Sequence, residues 1–323
     1  MKKIRNSLAA AIIFAGAVFL LKSASPAFHE KSGFLFNTYW EIKLSGGVES
    51  DTCLNSAIEV LTGTVSHFLM DCATSELFIL NSTGRVERPS KDFSECLLLT
   101  KELHHRTGGF FDPSVCGLME AYGFYDGNHR LPDSLEISTL IRQSTGLSLE
   151  VTDEFVRIPN THKLDLGAIV KGFAVDRTAD FLSGCGLTGF LINFGGEVRS
   201  YGKKGNHDWQ IGVRHPSGNG IVSIVSGECA VATSGDYENS FEIKGQLISH
   251  ILSPFDGSCS SDMESVSVYG TTCAEADALA TALMIMGQSR AREFAENNGL
   301  NALLINQAGE IQRIGRQEIF SSN

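Results

Sequence analysis

The stretch LDLGAIVKGFAVDRTADFL, residues 164–182, runs from an acidic tight turn straight into an amphipathic helix. A helix N-terminus presents free backbone N–H groups and partial positive charge, a natural seat for a phosphate. Asp165 adds a carboxylate in the same turn, which either handles a second ligand (a sugar, a ring or a cation) or simply ends the preceding segment. Gly167 permits close approach of the backbone. The carbonyl of Ala168 is a hard oxygen donor, and Lys171 is either a phosphate contact or an ordinary surface lysine.

Outward from this helix, strands and helices are mixed. Towards the N-terminus, FLFNTYWEIKL (34–44) alternates like a strand, 54–70 reads as an amphipathic helix, and 94–109 as a helix closed by Gly108 and Gly109. FDPSVCGLMEAYGFYDG (111–127) predicts a turn, a short helix and a glycine-rich exit, and LSLEV with FVRIPN a hairpin. Towards the C-terminus, GFLINFGGEVRSYG (189–202) is a strand with a glycine pair, followed by the strand-like runs DWQIGVRHP, GIVSIVS, CAVATSG and SVSVYG. A helix over 274–286 ends at Gly287, and helix–strand–strand patterns close the chain. So many hairpin-like connections predict an α+β fold with mixed or antiparallel sheets rather than a wound βαβ sheet.

The N-terminus reads differently. MKKIRN, the apolar run 8–21 and the small residues of SASPA form the pattern of a secretory signal over 1–27, with 28–323 as a single domain. Fourteen apolar residues are short against the roughly 20 that span a bilayer, so export to the periplasm is expected, with inner-membrane association if the segment is retained. Its removal takes away four cations and no anions, leaving 22 cations against 37 anions, a net charge of −15. That surface argues against nucleic acid as a partner, and a site for a phosphorylated ligand then needs a helix end or a metal ion. The eight cysteines show no zinc spacing, and the sequence gives no pairing among them.

Three further stretches carry candidate chemistry. Asp277 and Thr281 lie one helical turn apart on one face, two hard oxygens of the kind Mg²⁺ accepts. His250, in QLISHILSPFDG, is either a hydrogen-bonded core residue or a base active near neutral pH. In TGGFFDPS, Phe110 and Phe111 suit stacking on a flat ring with Asp112 as a polar contact, or simple core packing. TSGDYE (233–238) reads as a polar loop.

Taken in order, NTYWEIKL, TSELFILN, TGGFFDPSVCGLMEAYGF, LDLGAIVKGFAVDRTADFL, GFLINFGGEVRSYG, VATSGDY, SHILSP and ADALATALMIMG closely resemble the ApbE family of flavin transferases over nearly the whole chain after the signal. The resemblance implies an α+β fold with a flavin cleft, and transfer of FMN from FAD to a threonine of a partner redox protein with release of AMP. It implies Mg²⁺ held by the Ala168 carbonyl, Asp277 and Thr281, and flavin contacts at Phe36, Phe110, Phe111, Asp112, Asp165 and Ile251. It makes His250 the base and leaves Lys171 as a phosphate contact. The chain departs from the family at Phe36–Asn37–Thr38, where Met-Gly-Thr is common, and at Ser253–Pro254, where Asp-Pro is usual. Two alternatives use nearly the same motifs: a Mg-dependent hydrolase giving FMN and AMP, and a carrier that stores FAD.

Overall fold

The computed structural model describes residues 28–46, 50–144, 147–218, 220–237, 239–259 and 262–320, so the signal-like segment 1–27 lies outside the described residues. Eight strands of the main sheet are numbered along the chain: β1 (Phe28–Leu35), β2 (Thr38–Ser45), β3 (Gly189–Phe194), β4 (Glu197–Lys204), β5 (Cys229–Gly235), β6 (Met263–Gly270), β7 (Asn301–Asn306) and β8 (Ile311–Ile314). Their order in space is their order in the chain, and every neighbouring pair is antiparallel. The short strand His207–Asp208 pairs with β4 and completes the sheet.

Six helices, α1 (Ser50–Ser66), α2 (Glu76–Thr83), α3 (Lys91–Arg106), α4 (Cys116–Tyr122), α5 (Ser134–Ser144) and α6 (Gly167–Ser183), form one insertion between β2 and β3. A seventh, α7 (Cys273–Asn297), joins β6 to β7. Helix α6 packs against both α1 and α7, and these three cover one face of the sheet. The period of two along β7 divides its side chains between two cores. Ala302 and Leu304 face α7, whereas Leu303 and Ile305 face the hairpin of Gln210–Arg214 and Ile221–Ser226.

Two expectations change in ways that matter for the site. Residues 34–44 are not one strand: β1 and β2 meet in a two-residue hairpin turn, with Leu35 opposite Thr38. Phe36 and Asn37 both take left-handed backbone, φ 52° and 57°. That geometry matches the strand twist and comes easily to Asn, but is uncommon for Phe. Helix α6, expected to be amphipathic, is enclosed over most of its circumference because it lies between two other helices. Lys171, Asp176 and Arg177 on it pair with carboxylate or guanidinium partners on neighbouring elements instead of forming a free solvent face. The α6–α7 crossing is close enough that a Cβ on Gly172 would stand 2.4 Å from the Cys273 carbonyl oxygen. Helix α7 breaks at Gly287, φ 71° and ψ 165°, where the sequence predicts a helix end.

Candidate active site

A cavity of about 620 Å³ opens between the insertion and the sheet, within the size range of cofactor sites. The β1–β2 turn contributes Phe36, the segment ahead of α4 contributes Phe111 and Asp112, and the start of α6 contributes Asp165, Gly167, Ala168 and Lys171. Across from them stand Ser234 at the end of β5, His250 and Ile251 after the strand Gln246–Ser249, and Asp277 and Thr281 on α7. The fold therefore gathers residues from distant parts of the sequence into one space. Phe110 is placed elsewhere: it lines a neighbouring groove, edge-on to Phe255 at 4.8 Å, with the Arg290 guanidinium 5.0 Å from its ring centroid.

The acidic residues divide by what already engages them. Asp112 caps the turn before α4: its Oδ1 accepts from Ser114 N at 2.9 Å and Ser114 Oγ at 2.6 Å, while Oδ2 lies 3.4 Å from His104 Nε2. Asp165 Oδ1 accepts from Gly167 N at 2.6 Å, which shapes the first turn of α6, and Oδ2 accepts from the Tyr125 hydroxyl. Both carboxylates thus hold wall segments in place.

Lys171 is an internal cation rather than a surface lysine. Its Nζ lies 3.1 Å from Glu197 Oε1, 3.6 Å from Asp277 Oδ2 and 3.4 Å from the Gly167 carbonyl oxygen. Burial pushes the Asp277 carboxyl upward, against the pull of Lys171 and of the Gly172 N–H that donates to its Oδ2 at 3.3 Å. Thr281 Oγ1 lies 3.0 Å from Ser234 Oγ. A carboxylate, two hydroxyls and a nearby main-chain segment at Ala168 make a donor set of hard oxygens, which fits Mg²⁺. Among the described residues no group of three His, Cys, Asp or Glu side chains is placed to hold a metal. The fit is therefore to an ion that keeps water or ligand phosphate in its shell.

His250 is anchored by one main-chain carbonyl. Its backbone N–H donates to the Asn239 carbonyl at 3.0 Å, and its Nδ1 lies 3.0 Å from the same oxygen. With Nδ1–H donating there, Nε2 keeps its lone pair. Burial lowers the imidazole pKa below its ordinary value and Lys171 adds to this, against the Asn239 hydrogen bond.

Reading the sequence alone misses Asp176, Glu197, Tyr125 and Asn239. Asp176 accepts from the backbone N–H groups of Cys273 at 3.0 Å and Ala274 at 2.9 Å, and from Arg199 at 2.6 Å. It thereby caps the helix that bears Asp277 and Thr281, whose own N-cap residue, Thr272, makes no side-chain cap. Asp176 stands in the opening stretch, but the N–H groups it caps lie almost a hundred residues away. Asn239 acts through its carbonyl, which leaves no signal in residue type.

A model of the ApbE family matches residues 36–304. The chain belongs to the ApbE family. It is 31% identical over 313 residues to a Rhodobacter capsulatus FAD:protein FMN transferase, covering 92% of this chain and 59% of that protein's length. It is 34% identical over 268 residues to a Vibrio cholerae FAD:protein FMN transferase, covering 79% and 78% of the two chains. A crystal structure of an ApbE protein from Thermotoga maritima superposes with a TM-score of 0.85 at 27% identity, over 92% of this chain and all of the other. The Vibrio cholerae flavin transferase ApbE gives a TM-score of 0.77 at 26% identity, again over 92% and all of the two chains. The α+β architecture is thus the ApbE fold.

Proposed function

We propose that this ApbE-family chain is a Mg²⁺-dependent FAD:protein FMN transferase that attaches FMN to a threonine hydroxyl of an exported or membrane redox protein and releases AMP. The single observation that carries the reading is His250, with Nδ1 held by the Asn239 carbonyl and Nε2 left as an acceptor, beside the hard-oxygen set of Ala168, Asp277 and Thr281.

A hydroxyl is a poor nucleophile until a base takes its proton. His250 Nε2 accepts the proton of the incoming threonine as its oxygen attacks the phosphorus on the FMN side of FAD. The new O–P bond forms, the anhydride P–O bond breaks, and AMP leaves with that electron pair. Phe36 and Phe111 offer ring faces for the flavin, and Lys171 supplies fixed positive charge near the phosphates. Ala168, Asp277 and Thr281 would hold Mg²⁺, which supplies neutralisation of pyrophosphate charge that an acidic protein otherwise repels. The secretory pattern of residues 1–27 supports a periplasmic site of action. No helix among the described residues is long and apolar enough to cross a membrane.

The test mixes the protein with FAD, Mg²⁺ and a candidate acceptor subunit, and reads in-gel flavin fluorescence together with AMP. An acceptor band that disappears with EDTA or with His250→Ala supports the transferase. FMN and AMP without a band, for every acceptor tried, would move the reading to the hydrolase. Intact bound FAD throughout would leave only the carrier.

A further inference from the structure

The insertion that carries Phe111, Asp112, Asp165, Ala168 and Lys171 leaves the sheet and returns to it at one point. Ser45, at the end of β2, is the β-partner of Gly189, at the start of β3. The closure is held by hydrogen bonds: Thr188 N donates to the Ser45 carbonyl at 2.9 Å, and Thr188 Oγ1 donates to the same oxygen at 2.6 Å. Just inside that neck lie two cysteines. Cys53 sits near the start of α1, and Cys185 follows the end of α6. Both are half-buried and pack against the same core cluster, which includes Leu54, Ala57 and Leu182. Helices α1 and α6 pack against each other here, both cysteines are free thiols, and Cys185 Sγ, which donates to the Phe181 carbonyl at 3.8 Å, has the Cys53 thiol as a neighbour.

The other six thiols are differently engaged. Cys96 and Cys116 are enclosed in the core, and Cys273 Sγ donates to the Val198 carbonyl at 3.2 Å. Cys72 meets Thr74, Cys229 meets Ser200, and Cys259 meets the Ser249 carbonyl.

We propose that Cys53 and Cys185 form a disulfide in the exported protein, a covalent clasp at the neck of the helical insertion. Its formation in the cell rests on the export reading above, because structural disulfides persist in oxidising compartments. Each thiol gives up its proton, the S–S bond forms, and the two electrons pass to the disulfide of a thiol–disulfide oxidant, which leaves as its dithiol. The crosslink closes a loop from Cys53 to Cys185 that contains nearly all of the insertion, so it restricts the unfolded chain far more than the folded one. Reduction is expected to lower Tm by about 5–10 °C and to leave transfer at low temperature unchanged, since neither cysteine lines the cavity.

The experiment incubates the chain from residue 28 in a glutathione redox buffer, blocks free thiols by alkylation and maps peptides after non-reducing cleavage. Cleavage after Glu59 separates Cys53 from Cys72. The expected result is one peptide pair joining Cys53 to Cys185, six alkylated cysteines, and a Tm that falls on reduction. Cys53→Ser, Cys185→Ser and the double variant should each show the lower Tm, with no further loss in the double. Eight alkylated thiols in the oxidised folded protein, or Cys53 joined to another cysteine, would overturn the pairing. A linked protein whose Tm does not change on reduction would overturn the clasp. If the pair forms in buffer but is absent from protein recovered from the exported fraction, formation in the cell is overturned while the geometry stands.

Discussion

Burial acts in opposite senses on two titrating residues near the cavity, and both effects are measurable. At His250 burial disfavours the cation, so the imidazole is neutral at pH 7 and ready to accept a proton. A base works when deprotonated, so the acid limb of kcat/KM for FMN transfer is expected to have its midpoint below pH 6.5, the ordinary value. A midpoint above 6.5 would show that His250 gains a stabilising anion in the working enzyme. His250→Ala should remove the limb and cut the rate by about 10²–10⁴-fold.

At Asp236, burial pushes the carboxyl up to about 6, with Glu264 adding to the rise and the Ser249 hydroxyl opposing it. The folded protein therefore holds this proton more tightly than the unfolded chain. The resulting stability is present below about pH 4 and is lost as pH rises through 6. A shift of this size corresponds to about 3 kcal/mol. Denaturant unfolding from pH 4 to 8 should show Asp236→Asn gaining on the parent by about that much, and parallel curves would refute it. At this scale the sequence singles out His250 and the Asp277–Thr281 pair, which the fold brings to one cavity. It is opaque at Asp236, which looks like an ordinary turn residue, and at Phe110, whose neighbour Phe111 takes the cavity wall.

Local pattern located most elements, because glycine stops, hairpin turns and apolar periods act within a few residues. The glycines after α3, the short α4 and the break at Gly287 stand where the sequence puts them. The character of α6 does not, because a helix between two helices buries polar residues that a period-based reading assigns to solvent. Asp176 shows the functional cost of that error. It links α6, which begins with the Asp165–Ala168 turn, to the first N–H groups of α7, and so sets in register the two elements proposed to hold Mg²⁺. Asp176→Asn keeps the shape but turns one acceptor into a donor facing N–H groups or Arg199. Supporting residues of this kind typically change metal affinity 10–100-fold when lost. The Mg²⁺ concentration for half-maximal transfer should rise by about 10-fold, while FAD binding measured without Mg²⁺ stays the same. An unchanged Mg²⁺ dependence would reduce Asp176 to a purely structural cap.

At the scale of the molecule, the cavity is a joint between two bodies of chain, the insertion on one side and the sheet with α7 on the other. A ligand filling it touches Phe36, Phe111 and Ala168 as well as Asp277 and His250, and so resists separation of the two. Ligand that binds only the folded state stabilises it by RT ln(1 + [L]/Kd), about 2.7 kcal/mol at a hundredfold excess over Kd. In the proposed site, FAD alone would set its pyrophosphate beside the Asp277 carboxylate, and Mg²⁺ alone would meet Lys171, 3.6 Å across Asp277. Each should therefore stabilise weakly, while together each relieves the other's repulsion. Thermal unfolding is expected to show a Tm rise for FAD with Mg²⁺ that exceeds the sum of the separate rises, and EDTA should abolish the excess. Asp277→Asn should remove the excess but retain the small rise from FAD, because it deletes the charge that holds the ion and leaves the aromatic walls intact. Simple additivity in the parent protein would mean that the ion and the dinucleotide do not share this cavity.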